Sequence, residues 1–199
     1  MKKSSIIKQL FILFIGLFVL SCAQKQEAPA VEEETTTENV ETASTEEAPK
    51  EDIPSPLKKI SETVNGVLVE MQYGAPGVKD RTIWGELVPF GEVWRTGANE
   101  ATWISFDKDV TIAENKVPAG KYGLFTIPNN EEWTVILNKT WDQWGAYDYD
   151  EAEDQVRFSV TPEMVETPAE RMAFAIAEKE VKFMWEKVGF AFEVAPAAE

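Results

Sequence analysis

The chain has 199 residues and carries 35 acidic against 19 basic side chains, which gives a formal net charge of −16 at pH 7. A chain this acidic repels nucleic acid, whose binding depends on cationic contacts to phosphate. Histidine is absent from the sequence, which excludes Ser-His-Asp and Cys-His catalysis and the usual zinc, copper and iron ligand sets. We therefore expect no nucleic-acid partner, no metal and no cofactor.

The N-terminus has the layout of a secretory signal. Three lysines precede an apolar run over residues 10–20, and the run ends in Val19-Leu20-Ser21-Cys22. These 11 residues are too few to span a bilayer, which takes about 20, whereas a basic start followed by a short apolar centre is typical of a signal peptide. The ending resembles the lipobox of bacterial lipoproteins. That resemblance implies cleavage before Cys22 and acylation of its thiol.

These features predict a location in the cell envelope. We expect a signal peptide over residues 1–21 and a fatty acid such as palmitate on Cys22, the chain's only cysteine. Loss of residues 1–21 removes three lysines and no acidic residue, so the net charge falls from −16 to −19. The membrane is then a partner through the lipid alone. Because Ala23 stands where an aspartate would resemble an inner-membrane retention signal, we expect the outer membrane.

Residues 22–57 are predicted to be a disordered tether. The segment after the cysteine has ten acidic residues, two lysines, four prolines and no aromatic residue. Such a composition cannot bury enough apolar surface to offset the entropy of ordering. The tether would hold the following domain away from the membrane.

Residues 58–199 are predicted to form one mainly β domain. All seven tryptophans lie between Trp84 and Trp185, and short β-like runs alternate with turn residues, as in an antiparallel two-sheet sandwich or a jelly roll. The predicted strands are Val67–Tyr73, Ala101–Phe106, Val110–Ile112, Lys121–Ile127, Glu132–Asn138, Gln155–Val160, Arg171–Ala177, Val181–Trp185 and Gly189–Val194. Short helical turns are predicted at Asp148–Asp154 and Thr161–Met164.

Five sequence blocks resemble a known family. They are Gly74–Gly85, Leu87–Asn99, Pro118–Pro128, Glu132–Asn138 and Trp144–Asp150. In this order they resemble the DUF2911 family and cover most of the predicted domain. The resemblance implies a secreted or lipid-anchored bacterial domain of the Bacteroidetes type, and it supplies no activity.

The run Trp94-Arg95-Thr96-Gly97-Ala98-Asn99-Glu100 is the first candidate site. A guanidinium can grip a carboxylate, a phosphate or a sugar hydroxyl with its two-pronged fork, while a neighbouring indole stacks on the ligand. Alternatively, Arg95 pairs internally with Asp148 or Asp150 and locks a loop. The sequence alone leaves both interpretations open.

The run from Trp141 to Asp150 is the second candidate site. It holds four aromatic and three acidic residues, and indole and phenol rings commonly stack on sugars and other ligand faces. Some of these rings are expected in the core and others along a cleft. The acids that follow lack the spacing of a calcium loop, so a solvated acidic turn is the preferred interpretation.

We therefore predict a membrane-anchored domain that binds a glycan or a small polar molecule, and we do not expect an enzyme. The candidate ligand-binding residues are Trp94, Arg95, Asn99, Glu100, Trp144, Tyr147, Asp148 and Asp150. One alternative is a carboxylate-dependent hydrolase of glycans that uses Glu100, Asp148 or Asp150 as acid and base. Another is a structural envelope protein without a ligand. The sequence assigns no catalytic residue.

Overall fold

The structure is a computed structural model that describes residues 54–198. The predicted signal peptide, Cys22 and most of the predicted tether lie outside the described residues. The strands are β1 Leu57–Val64, β2 Val67–Gly74, β3 Trp103–Phe106, β4 Val110–Ile112, β5 Asn115–Val117, β6 Gly120–Ile127, β7 Trp133–Asn138, β8 Asp154–Val160, β9 Glu163–Ala177, β10 Glu180–Glu193 and β11 Ala195–Pro196. A 3-10 turn over Glu151–Glu153 is the one helical element in this part of the chain.

The predicted mainly β fold is confirmed. Strands β1-β2-β3-β6-β7-β8 form a six-stranded antiparallel sheet in that order. Strands β9 and β10 form a long hairpin, and β11-β4-β5 form a small third sheet. Within residues 54–198 no helix is long or apolar enough to cross a bilayer.

Aromatic side chains hold the hairpin against the six-stranded sheet. The ring of Trp133 on β7 lies 5.9 Å from Phe183 and 5.5 Å from Phe190 on β10, and Phe158 on β8 lies 5.3 Å from Phe192. Such edge and tilted contacts add to the large apolar area that each ring buries. The main core therefore lies between these two layers.

Two details differ from the sequence prediction and a third agrees with it. Strand β1 begins at Leu57 and was not predicted, although Asn65 and Gly66 both take positive φ in the two-residue turn that joins it to β2, as a type I′ hairpin requires. The predicted helical turn at Thr161–Met164 is wrong, because Glu163 and Met164 open β9 and pair with β10. The predicted turn at Asp148–Asp154 is confirmed by the 3-10 turn there.

The two C-terminal strands predicted at Val181–Trp185 and Gly189–Val194 belong to one strand, β10, that is interrupted in register. The pairing with β9 shifts between Met184 and Val188, and Glu186 has a φ of 54°. At this bend the backbone turns sharply enough for Gly189 to approach the carbonyl of Phe183. The bend places Trp185 next to the first candidate site.

Candidate functional site: a cationic pocket beside the tryptophan cluster

The loop from Trp94 to Glu100 is fixed to the sheet at its first residue. Trp94 pairs with Thr126 on β6 through two backbone hydrogen bonds of 2.8 and 2.9 Å. Its indole Nε1 donates to the carbonyl of Gly97 at 3.2 Å, and its ring stacks on Trp185 with centroids 5.8 Å apart. Trp94 is therefore a buried wall of the site, and Arg95 follows it directly.

Backbone strain follows Arg95 in the chain. Thr96 has a φ of 49° and Asn99 a φ of 65°, a left-handed conformation that is costly for a β-branched residue such as threonine. The buried Thr96 hydroxyl contacts the Thr126 hydroxyl at 3.1 Å, and its carbonyl accepts from the Thr102 hydroxyl at 2.8 Å. These bonds hold the strained turn in one conformation, which is common at ligand sites.

Close backbone contact with the end of β2 completes the loop. The amide of Ala98 donates to the carbonyl of Gly74 at 3.2 Å. A Cβ atom at Gly74 would lie 2.0 Å from the Ala98 carbonyl oxygen, and one at Gly97 would lie 2.8 Å from the Thr102 hydroxyl. Both glycines are therefore needed for the loop to lie this close to the sheet.

Arg95 is half-buried and has no carboxylate partner among the described residues. Among residues 54–198 its side chain forms no ion pair or hydrogen bond, and its Nε is shut off from solvent without an acceptor. The pKa of Arg95 is lowered because burial desolvates the guanidinium, with a smaller opposing effect from Tyr147. The ion pair with Asp148 or Asp150, considered from the sequence, does not form.

Arg95 lines a pocket of about 150 Å³. A second guanidinium, that of Arg81, also lines it and is already held by the backbone carbonyls of Val78 and Gly77. The other residues that line it are Ser55, Pro76, Leu87, Val88, Trp94, Gly97, Ala98 and Trp185. The pocket thus combines two cations with aromatic and aliphatic walls.

The surroundings of the pocket contain a surplus of hydrogen-bond donors. Three buried side-chain polar atoms of the described chain lack a partner, namely Arg95 Nε, Trp84 Nε1 and Trp185 Nε1. All three are N–H groups, and the Trp84 ring lies 5.7 Å from that of Trp185 and 5.9 Å from that of Trp94. Buried polar groups are normally satisfied, so these three N–H groups are an unfavourable feature of the region around the tryptophan cluster.

The other candidate residues lie on an exposed surface next to this loop. The two candidate segments meet through backbone hydrogen bonds of 2.9 Å, from the Gly145 amide to the Asn99 carbonyl and from the Ala101 amide to the Gln143 carbonyl. The backbones of Glu100 and Trp144 also form an isolated antiparallel β-bridge. The side chains of Asn99, Glu100 and Asp148 are exposed, as are the rings of Trp144 (58%) and Tyr147 (84%). The structure therefore brings these residues to one surface.

Asp150 has a structural role in the described chain. Its carboxylate accepts from the Ala152 amide at 2.9 Å and caps the 3-10 turn. The hydroxyl of the preceding residue, Tyr149, donates to the carboxylate of Asp154, which Arg157 also contacts. Burial, followed by the hydrogen bond to Asp154, raises the pKa of Tyr149 to about 12. This network fixes the end of the second candidate segment.

Trp141 also belongs to the scaffold. The ammonium of Lys121 on β6 lies 4.1 Å from the Trp141 ring centroid and 3.8 Å from that of Trp103. This cation–π arrangement holds the segment around Trp141 against β6. The aromatic residues of the second candidate segment fall into two groups. Trp141 and Tyr149 hold the structure, while Trp144 and Tyr147 face outward. In the described chain no group of acidic side chains is placed to hold a metal ion.

Sequence reasoning missed Arg81 and Trp185 as pocket residues. Arg81 follows two residues with positive φ, Lys79 and Asp80, and this bend returns the chain to the pocket. Trp185 reaches it through the bend in β10, about 90 residues after Arg95 in the chain. No local pattern could have paired them with Arg95, although an arginine in the first family-like block was a usable signal for Arg81.

Fold and site together define a class of protein, an antiparallel β domain with a small cationic pocket against a tryptophan cluster. The chain belongs to the family described as "Protein of unknown function (DUF2911)", whose model matches residues 55–194. A comparison with curated proteins found no match. Neither did a comparison with solved structures.

Proposed function

We propose that this protein is a ligand-binding lipoprotein of the bacterial cell envelope, with its binding site at the Arg95 pocket. One observation carries the binding proposal: a half-buried guanidinium that no carboxylate in residues 54–198 neutralises. An unpaired, partly desolvated charge is unfavourable. In a chain with 35 acidic residues, an internal partner would have been easy to supply. A ligand that carries the missing acceptor explains why none is present.

The proposed location rests on the sequence. The signal-like start and the lipobox-like ending at Cys22 support anchoring by lipid, and Ala23 supports the outer membrane. In this proposal the membrane is the macromolecular partner, reached through the acylated cysteine, and the pocket belongs to the domain that follows the tether.

Thermal unfolding with a panel of small compounds tests the binding proposal. A ligand that binds only the folded state raises the unfolding temperature by mass action. The panel contains carboxylates, phosphates, neutral amides and monosaccharides, and each is measured on the wild type and on Arg95→Met. We expect at least one class to stabilise the wild type and not the variant. If no class does so, the proposal is wrong.

A further inference from the structure

The side chains that line the Arg95 pocket limit the chemical class of ligand that it can bind. Apart from the Ser55 hydroxyl, the polar side chains that line it are donors: the guanidinium groups of Arg81 and Arg95 and the indoles of Trp94 and Trp185, of which the Trp94 indole already donates to Gly97. A sugar or an amide needs acceptors for its own O–H or N–H groups, whereas a carboxylate only accepts. The side chains of the pocket therefore favour an anionic acceptor.

The two arginines are not equivalent. Arg81 donates from Nε and one terminal nitrogen to the carbonyls of Val78 and Gly77. Arg95 forms no such bonds, and only its Nε is both shut off from solvent and without a partner. Its two terminal nitrogens have no hydrogen-bond partner in the described chain and are therefore accessible to solvent, and Arg95 lines the pocket. One open guanidinium fork matches one carboxylate in bidentate geometry, with Arg81 as a second, more distant cation.

Volume and apolar walls limit the rest of the ligand. A cavity of about 150 Å³ holds a molecule of about six heavy atoms, the size of benzene. Trp185 is 1% exposed and stacks on Trp94, and Leu87, Val88 and Pro76 supply aliphatic surface. These apolar side chains can contact a short hydrocarbon tail, which an inorganic phosphate does not have.

From these observations, and resting on the proposed function, we propose that the pocket binds a small monocarboxylate with a short apolar body. The carboxylate lies against the terminal nitrogens of Arg95, and the apolar body lies against the stacked indoles of Trp94 and Trp185. Arg81 adds long-range attraction and sets the orientation of the anion.

Titration with propionate tests this inference, and the pocket tryptophans supply the fluorescence signal. Propionamide is the matched neutral probe, because it has the same shape without the charge, and inorganic phosphate and glucose represent the competing classes. We expect propionate to bind at least ten-fold more tightly than propionamide, since hydrogen bonds to a charged group are about twice as strong as neutral ones.

Variants assign the binding to the pocket. Arg95→Met should abolish propionate binding, and Arg81→Met should weaken it several-fold. Lys116→Met is the control, because it removes one positive charge from an exposed residue that pairs with Asp109 and does not line the pocket. It should bind propionate like the wild type. Isothermal titration repeats each measurement without relying on the tryptophans.

The outcomes separate this inference from the proposed function. Equal binding of propionate and propionamide, or propionate binding that survives Arg95→Met, overturns the inference. Tighter binding of phosphate or glucose than of propionate also overturns it, while a ligand site at Arg95 would stand. Absence of binding by every probe, together with a flat panel of unfolding temperatures, overturns both.

Discussion

Arg95 illustrates how a single residue can be kept at a cost to stability. Its guanidinium is half-buried beside Trp94, its pKa is lowered by desolvation, and no side chain of residues 54–198 neutralises it. Arg157, by contrast, contacts the carboxylate of Asp154, whose side chain is only 9% exposed. A comparison of Arg95 with Arg157 therefore separates a binding role from a structural role.

Replacing Arg95 should leave the fold intact. In Arg95→Met the free energy of unfolding should stay within about 0.5 kcal/mol of the wild type or rise, because no partner is lost and a desolvated charge is removed. Arg157→Met should lower it by about 1–3 kcal/mol, because Asp154 loses a charged donor. Urea unfolding of both variants measures this. A loss of about 3 kcal/mol or more in Arg95→Met would reveal a buried pair and contradict the site.

Tyr149 should make stability sensitive to alkaline pH. Its pKa rises from 10.0 to about 12 in the folded state, so the unfolded chain loses this proton first. The contribution of Tyr149 is fully present below about pH 10 and is lost as the pH rises toward 12. Tyr149→Phe should flatten this part of the curve of unfolding free energy against pH. An identical slope in the wild type and the variant between pH 10 and 12 would contradict the assignment.

At the scale of elements, the loop from Trp94 to Glu100 depends on the glycine at the end of β2. In Gly74→Ala the new Cβ would lie 2.0 Å from the backbone carbonyl of Ala98, so the loop must move away. Overpacking of this kind typically costs about 1–3 kcal/mol. We expect that loss of stability together with weaker ligand binding at Arg95.

Gly77→Ala provides the matched control. Its Cβ would lie 3.2 Å from the carboxylate of Glu170, which is the end of a side chain and not backbone, although it accepts from the Lys79 amide at 3.0 Å. Urea unfolding and propionate titration of both glycine variants should show a marked effect only for Gly74→Ala. Equal behaviour of the two variants would mean that loop position does not control the pocket.

The strands of the core were largely predictable from sequence because their own residues carry the signal. The apolar run of β7 is buried along most of its length, and β2 alternates between buried and less buried positions. Strand β1 was missed because it is an edge strand with most of its residues exposed. Its composition therefore resembles that of the predicted tether. The turn at Asn65 and Gly66 was the available signal for it.

The site was less predictable than the fold because long-range packing builds it. Arg95 and Trp94 were chosen from their local chemistry, but the pocket also needs Arg81 and Trp185, which reach it from other segments. The helical turn predicted at Thr161–Met164 failed for the same reason. Pairing of Glu163 and Met164 with β10 outweighs the local preference for a turn.

At the scale of the whole molecule, residues 54–56 lie between the predicted tether and the pocket. The Pro56 carbonyl accepts from the Ala75 amide at 2.9 Å, the Pro54 carbonyl accepts from Arg171 at 3.2 Å, and Ser55 lines the pocket. These contacts place the start of the folded domain at the edge of the proposed ligand site.

Truncation should therefore have different effects on either side of this segment. A chain starting at Pro54 should unfold cooperatively at the temperature of the mature protein, because composition predicts no core contribution from residues 23–53. A chain starting at Lys58 loses these hydrogen bonds and the first residue of β1, and should unfold about 5 °C lower or more. Calorimetry compares the three chains. Equal temperatures for both truncations would contradict the contribution of residues 54–57.

The proposed lipid anchor depends on Cys22. Cys22→Ser should leave an unprocessed precursor that incorporates no labelled palmitate, whereas the wild type should be labelled and fractionate with the outer membrane. Stable attachment takes at least two acyl chains, so mass spectrometry of the wild type should find more than one. Normal maturation and labelling of Cys22→Ser would rule out the lipoprotein assignment.

A crystal structure of residues 54–199 grown with propionate tests the central claim most directly, because the claim concerns what neutralises Arg95. We predict a carboxylate within hydrogen-bond distance of the terminal nitrogens of Arg95, with its apolar end against the indoles of Trp94 and Trp185. An ion pair between Arg95 and Asp148, Asp150 or another carboxylate of the chain, with no propionate in the pocket, would contradict it.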